Sequence, residues 1–176
     1  MRIIAGKLKG RRFSVPQSIH LRPTTDRSKE NLFNSLHFKI DWENTTVLDL
    51  YSGTGNIAFE FHSRGCPYVH SVDKNQKYID YQKKLAVNWT IEGMYFTKAN
   101  AIQFIRSVTQ RFNIVFADPP YTSPDLKILV DTIIAEDILK EDGMIIVEHD
   151  ISSDFCEHLR FEKQYKYGQT IFSTFR

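Results

Sequence analysis

The chain of 176 residues has few cysteines and no long apolar run. Its 2 cysteines, Cys66 and Cys156, lie outside any Cys-x-x-Cys pair, so we expect neither a disulfide framework nor a structural zinc site. No apolar run approaches the ~20 residues that a membrane-spanning helix needs, and the N-terminus lacks the continuous apolar stretch of a secretory signal. These absences argue against a secreted or membrane protein, and we expect a cytoplasmic one.

The formal net charge of +2 conceals an uneven distribution of charge. Residues 1–29 hold eight basic side chains and one acid, a net charge of +7, whereas the rest of the chain holds 15 bases against 20 acids, a net charge of −5. We expect residues 1–24 to form a basic β-hairpin arm and residues 25–176 to form one domain. A basic arm suits the phosphates of a nucleic acid, although a solvated basic face is a common alternative. The predicted phosphate contacts are Lys7, Lys9, Arg11, Arg12 and Arg22.

Apolar segments of strand length alternate with segments of helix length along the chain. The predicted strands cover 46–50, 68–73, 94–97, 112–117 and 143–148, and segments 161–167 and 169–175 flank Gly168 like a hairpin. Strands separated by helix-length segments indicate a parallel sheet with helices on both faces. The sequence therefore predicts a doubly wound, Rossmann-like α/β fold whose C-terminal hairpin adds an antiparallel edge.

A glycine-rich turn follows the first predicted strand. The segment 53–58 matches G-x-G-x-x-A, in which Gly53 and Gly55 allow the backbone to approach a ligand closely. Asp73 ends the second strand, 18 residues beyond Gly55, where an acid can hydrogen-bond both hydroxyls of a ribose. These features suit both NAD and S-adenosylmethionine.

Asp49 distinguishes between these two ligands, because it ends the first strand four residues before Gly53. A fixed carboxylate would repel a pyrophosphate by several kcal/mol, about 4 kcal/mol at ~4 Å and an effective dielectric near 20. The sulfonium and ammonium groups of S-adenosylmethionine would be attracted instead, so a dehydrogenase is disfavoured. The alternative is that Asp49 only caps the turn and the glycines only reverse the chain.

The tetrapeptide Asp-Pro-Pro-Tyr at 118–121 follows the fourth predicted strand. Its two prolines remove two N–H donors and leave the Asp118 carboxylate and neighbouring carbonyls as acceptors. Such acceptors suit the NH2 group of a nucleobase, because they hold its hydrogens and help to free the nitrogen lone pair for attack on a methyl group. The predicted catalytic residues are Asp118, Pro119, Pro120 and Tyr121, the last of which would stack on a base swung out of its helix. A rigid loop or a polyproline-type recognition segment is the alternative.

Together with Arg-Pro-Thr-Thr-Asp-Arg at 22–27 and Asp-Leu-Tyr-Ser-Gly-Thr-Gly at 49–55, this tetrapeptide resembles the RsmD family of 16S rRNA guanine-N2 methyltransferases. The resemblance extends over nearly the whole chain, and the segment 22–27 is its most specific part. Asp-Pro-Pro-Tyr alone is shared with DNA amino-methyltransferases. The resemblance implies a class I methyltransferase that transfers a methyl group from S-adenosylmethionine to the N2 amine of one guanine, without a metal.

The resemblance also implies a set of site residues. Thr24 and Thr25 would cap a helix whose N-terminus faces the cofactor carboxylate, or would serve only as a helix cap. The family's Asp-Ala after the third strand is Asn100-Ala101 here, and the family's usual Arg is replaced by Lys29, which loses the bidentate fork of a guanidinium. The implied cofactor-binding residues are Thr24, Asp49, Gly53, Gly55, Asp73, Asn100 and Ala101.

Two other classes of function remain open. A DNA N6-adenine methyltransferase would share the cofactor motifs, but the chain has no obvious spare segment for recognising a DNA target. A noncatalytic RNA-binding module would be expected to have a damaged first turn or to lack Asp118, and the sequence has neither defect. We expect the partner to be 16S rRNA within a small ribosomal subunit or an assembly intermediate, and we expect a monomer that does not bind membranes.

Overall fold

The computed structural model describes residues 1–13, 26–120 and 126–176. Within these ranges seven strands form one sheet in the order β3-β2-β1-β4-β5-β7-β6. The strands are β1 Thr46–Leu50, β2 Tyr68–Asp73, β3 Met94–Lys98, β4 Phe112–Ala117, β5 Leu139–His149, β6 Phe161–Tyr167 and β7 Thr170–Phe175. Strands β1 to β5 pair in parallel, and β7 is antiparallel to both β5 and β6. The predicted fold class is confirmed.

Helices cover both faces of this sheet. They are α1 Asp26–Leu36, α2 Asn56–Ser63, α3 Gln76–Asn88, α4 Ala101–Ser107 and α5 Leu126–Ala135, and a 3-10 turn spans Trp42–Asn44. Apolar side chains of α1, α2 and α3 pack on one face, and those of α4 and α5 pack on the other. Along β1 the side chains alternate, so that Val47 contacts the first layer and Leu48 the second. None of the helices in the described ranges is long and apolar enough to cross a membrane.

The described part of the predicted arm, residues 1–13, lies against α2. One antiparallel bridge joins Arg2 to Arg12, so the predicted hairpin consists here of a single bridge closed by a turn. Ile3 and Phe13 are buried in a cluster with Phe59 of α2. At Gly6 the φ angle is +79°, and a Cβ there would lie 1.8 Å from the Ser63 carbonyl oxygen. Glycine is therefore required where the arm meets the end of α2.

A buried ion pair joins α1 to α2 beneath the arm. The ammonium of Lys29 lies 3.3 Å from a carboxylate oxygen of Glu60, and both side chains are fully buried. It also donates to the Arg2 carbonyl at 2.7 Å and to Asn56 Oδ1 at 2.8 Å. Three acceptors thus surround a group with three protons, so a compact ammonium fits this position without the fork of an arginine.

Glu60 holds the arm through its remaining contacts. Its two oxygens accept hydrogen bonds from the backbone N–H groups of Ile4 at 2.8 Å and Ala5 at 3.1 Å. The guanidinium of Arg64, the C-cap residue of α2, lies 2.9 Å from one of these oxygens. We call Lys29, Glu60 and Arg64 the arm anchor, because they tie residues 2–5 to both helices.

Candidate functional site

The carboxyl ends of β1, β2 and β4 meet where the order of the sheet reverses, between β1 and β4. Open α/β sheets bind their ligands at this point. A cavity of about 300 Å³ opens there, and Asp73, Asn100, Ala101 and Pro120 are among its lining residues, beside Tyr51. The fold therefore brings together residues from four of the predicted motifs, which lie up to 69 positions apart in the chain.

The turn between β1 and α2, residues 51–55, is tightly wound, and we call it the glycine turn. Tyr51, Gly53 and Gly55 have φ angles of 58°, 52° and 83°, in the left-handed region. The N–H of Gly55 donates to the Ser52 carbonyl at 2.8 Å. A Cβ on Gly55 would come within 2.8 Å of the Phe59 ring, which shows that packing as well as backbone conformation demands glycine.

Asp73 connects the end of β2 to the glycine turn. One oxygen of its carboxylate accepts the Gly53 N–H at 2.9 Å, and the other accepts the Asn75 N–H at 2.8 Å. Two backbone donors therefore fix the orientation of the carboxylate, and each oxygen keeps a further lone pair for another donor. The predicted contact of Asp73 with a ribose remains a prediction that this geometry permits.

Asp49 lies near the end of β1, just before the glycine turn, and contacts α2. It is 1% exposed, and one of its oxygens accepts the Ala58 N–H at 3.0 Å. Burial raises the pKa of this carboxyl well above its usual value, the hydrogen bond from Ala58 opposes the rise, and the charge of Asp73 adds to it. Asp49 thus caps the first turn of α2, as the structural alternative expected, and it is also a buried carboxyl whose charge the protein compensates only in part.

Asn100 and Ala101 stand at the start of α4. The side-chain oxygen of Asn100 accepts the Gln103 N–H at 3.3 Å, which caps the helix. Because an amide oxygen has two lone pairs, capping leaves one for the adenine amino group that this residue is predicted to bind. Ala101 is the first residue of α4 and is buried in the wall of the cavity.

The predicted catalytic segment leaves the sheet directly after β4. The N–H of Asp118 donates to the Leu50 carbonyl at 3.4 Å, which holds the start of the segment next to the end of β1. Asp118 is half-buried, Pro119 is buried, and Pro120 is exposed at the cavity. The predictions for Arg22, Thr24, Thr25 and Tyr121 fall outside the described residues.

The basic side chains of the arm face solvent. Lys7, Lys9, Arg11 and Arg12 are all exposed, and the guanidinium of Arg11 lies 5.3 Å from the centre of the Trp89 ring. The Lys7 N–H donates to the Ser63 carbonyl at the last residue of α2, whereas the glycine turn precedes the first. Eight helical residues span about 12 Å, so the tip of the arm lies well away from the cavity.

Two features of this region escaped the sequence reasoning. The arm anchor joins residues that share no recognisable motif. Gln82 of α3 is fully buried, and its side-chain nitrogen donates to the Ser52 hydroxyl at 2.9 Å and to the Gly53 carbonyl at 2.8 Å. The available signal was its spacing, because Gln82 follows Ile79 by three positions and precedes Leu85 by three, on the apolar stripe of α3.

Comparisons with known proteins agree with the resemblance in the motifs. A family model described as conserved hypothetical protein 95 matches residues 1–176. A ribosomal RNA small subunit methyltransferase D of Buchnera aphidicola is 30% identical over 151 residues, 85% of this chain and 76% of that one. A putative rRNA methyltransferase of Bacillus subtilis is 34% identical over 159 residues, 85% of this chain and 83% of that one.

The fold is also found in solved structures. A putative methyltransferase of Escherichia coli superposes with a TM-score of 0.87 at 25% sequence identity, over 99% of this chain and 96% of that one. A hypothetical protein of Thermus thermophilus superposes with a TM-score of 0.85 at 23% identity, over 100% of this chain and 99% of that one. Both likenesses extend over the described part of the arm as well as the sheet.

Proposed function

Because the chain belongs to the conserved hypothetical protein 95 family, the RsmD family, we propose that it methylates the exocyclic N2 amine of one guanine in 16S rRNA, with S-adenosylmethionine as the methyl donor. The observation that carries this proposal is the position of the segment that begins at Asp118. It follows β4 at the reversal of the sheet, and its Pro120 lines the same cavity as Asp73 and Asn100.

The site suits S-adenosylmethionine in both charge and shape. Asp73 and Asn100 offer acceptors for a ribose and an adenine amino group at one cavity. Asp49 offers a negative charge to the sulfonium and ammonium groups, and the same charge would repel a pyrophosphate. Gly53 and Gly55 permit the positive φ angles of the turn that would receive the amino acid part of the cofactor.

The reaction needs an amine held with its lone pair directed at the methyl group. The Asp118 carboxylate and the Pro119 carbonyl would accept the two hydrogens of the guanine N2, since the prolines leave this segment rich in acceptors. S-adenosylmethionine supplies a methyl group on a positively charged sulfur, which leaves as a neutral thioether with the electrons of the broken C–S bond. The Asp118 carboxylate would then take the proton that N2 releases and pass it to water.

The basic side chains of the arm support RNA as the substrate. Residues 1–24 would contact phosphates flanking the target through their basic side chains, and residues 25–176 would form the methyltransferase domain. Contacts with phosphates orient a substrate without selecting a base, so the residues at the edge of the cavity would have to select guanine. The distance between the arm tip and the cavity suits a folded RNA, such as rRNA within a small ribosomal subunit or an assembly intermediate.

A labelling experiment tests this function. Purified protein and tritiated S-adenosylmethionine are incubated with 16S rRNA or small subunits that lack methyl groups, and the labelled nucleoside is identified by mass spectrometry. We expect N2-methylguanosine, and we expect Asp118→Ala to lower the rate by about 10²–10⁴-fold, the usual contribution of a positioned acid or base.

The controls separate catalysis from folding and from cofactor binding. Asp118→Ala should bind S-adenosylhomocysteine as the unmodified protein does, and the exposed Asp80→Ala should methylate normally. Label in DNA but not in RNA would contradict the substrate, and a methyl group on another atom of the base would contradict the N2 assignment.

A further inference from the structure

Gln82 makes an unusual set of contacts for a residue in the middle of a helix. Its side chain is fully buried between α3 and the glycine turn, and its nitrogen donates to Ser52 Oγ and to the Gly53 carbonyl. Its oxygen has no hydrogen-bond partner within the described residues. Leaving a buried amide oxygen unpaired is unfavourable, so an apolar side chain would suit this position better if it only filled space.

The orientation of the amide follows from its neighbours. Both groups that face its nitrogen, the Ser52 hydroxyl and the Gly53 carbonyl, offer oxygen lone pairs. Exchanging the nitrogen and the oxygen would bring two carbonyl oxygens together at 2.8 Å, which is repulsive. The position therefore makes use of the two donors of the glutamine and tolerates its unpaired oxygen.

Gly53 is held at both of its backbone polar groups. Asp73 accepts its N–H at 2.9 Å, and Gln82 donates to its carbonyl at 2.8 Å. A trans peptide is planar, and its C=O and N–H point in opposite directions. Because Gln82 draws the Gly53 carbonyl towards α3, the N–H of Thr54 in the same peptide is directed away from α3.

Part of the cavity wall lies on the face of the sheet opposite α3. α3 packs on one face of the sheet, whereas Ala101 and Leu129 of the cavity wall belong to the cluster on the other face. An N–H directed to this side can donate to a carboxylate at the end of the glycine turn. The amino acid part of S-adenosylmethionine carries such a carboxylate.

We infer that Gln82 is a positioning residue of the cofactor site, which orients the Gly53–Thr54 peptide so that the Thr54 N–H receives the carboxylate of S-adenosylmethionine. The inference rests on the proposed cofactor. Gln82 itself does not touch the ligand in this account; it acts through the peptide that it holds. Sequence motifs give no hint of this role, because Gln82 lies 29 positions from Gly53.

Two ligands that differ in the amino acid part of the cofactor provide the test. S-adenosylhomocysteine carries the amino acid part, and methylthioadenosine has the same nucleoside and thioether without it. Binding of each to the unmodified protein and to Gln82→Met is measured by calorimetry. The methionine side chain has a similar length but no donor. We expect Gln82→Met to weaken S-adenosylhomocysteine about tenfold, the equivalent of one lost hydrogen bond of average strength, and methylthioadenosine less than twofold.

A control variant separates positioning from stability. Ile79→Val removes a buried methyl group one turn earlier on α3 and should leave the affinity for both ligands unchanged. If Gln82→Met lowered the affinity for both ligands equally, or for neither, the inference would be overturned while the proposed cofactor would stand. Failure of the unmodified protein to bind either ligand would overturn the proposed function instead.

Discussion

Glu60 of α2 and Asp49 of the preceding strand are both buried carboxyl groups, yet their surroundings differ. Glu60 faces the cations of Lys29 and Arg64 and two backbone N–H groups of the arm. Asp49 accepts the N–H of Ala58, and burial raises the pKa of its carboxyl well above the usual value. The protein itself thus neutralises Glu60 but compensates Asp49 only in part.

This difference separates a structural carboxylate from a candidate ligand. A buried charge with oppositely charged partners and hydrogen bonds holds elements of the fold together, and removing one partner is costly. A buried carboxyl whose pKa is perturbed by desolvation, next to a predicted ligand-binding turn, is a typical feature of a functional site. The arm anchor therefore serves folding, and we expect Asp49 to be neutralised by a cationic ligand.

The same chemical change at the two positions should have very different consequences for stability, and this is the largest effect we expect. Glu60→Gln removes a charge that pairs with Lys29 and Arg64, and should lower the free energy of unfolding by about 3–5 kcal/mol. Asp49→Asn removes a carboxyl whose ionised form is disfavoured by burial and keeps an oxygen for the Ala58 N–H, so stability should stay within about 1 kcal/mol or increase. Urea unfolding measures both free energies. A similar loss of stability in the two variants would contradict the distinction between Glu60 and Asp49.

Affinity for the cofactor should depend on Asp49 and not on the arm anchor. Asp49→Asn should weaken S-adenosylmethionine about 10–100-fold, because a charge-assisted contact contributes roughly 1.5–3 kcal/mol. Calorimetry on the apo protein measures this, and Lys29→Met provides a control in the arm anchor. If that control remains folded, its affinity for the cofactor should be normal. An Asp49→Asn variant that binds as tightly as the unmodified protein would remove Asp49 from the cofactor site.

The smallest expected effect is a dependence of stability on pH. The folded protein holds the Asp49 proton more tightly than the unfolded chain does, because the folded pKa is raised. As pH rises from the ordinary pKa towards the raised one, the free energy of unfolding should therefore fall, by at most about 1.4 kcal/mol per pH unit. The free energy of unfolding is measured against pH for the unmodified protein and for Asp49→Asn, and the variant should lack this fall. Identical profiles for the two proteins would argue against a protonated Asp49.

The linked effect on binding has the opposite sign. A cationic ligand favours the ionised carboxylate, so binding below the raised pKa should release a proton and strengthen with rising pH. Calorimetry in buffers with different ionisation enthalpies counts that proton. Its absence would indicate that Asp49 is already ionised in the ligand-free protein.

The strands were predictable because most are short apolar runs. β1, β2 and β4 begin and end where the sequence indicates, since their side chains are buried and their ends are marked by turns and charged residues. β5 begins at Leu139, four residues before the predicted start, because Lys140, Glu141 and Asp142 are exposed and interrupt the apolar pattern. Pairing with neighbouring strands extended β5 where local hydrophobicity gave no signal.

The candidate site was predictable only where a motif marks it. The glycine turn and the segment after β4 have recognisable residue spacings, so Asp49, Gly53 and Asp118 could be singled out from the chain alone. Lys29 was recognised as a departure from the family, but its buried position was not foreseen. Gln82 and Glu60 have no motif, because their roles depend on contacts with residues 29 to 56 positions away.

The sequence by itself determined the alternation of strands and helices, the family and the positions of the predicted ligand-binding turns. Each of these follows from the spacing of residues that are close together in the chain. Only the tertiary structure decided which buried charges are neutralised within the protein. Glu60 meets two cations and Asp49 meets none within the described residues, although both belong to the same βα unit. The cost of a buried charge depends on its neighbours in space, and long-range packing brings those neighbours together.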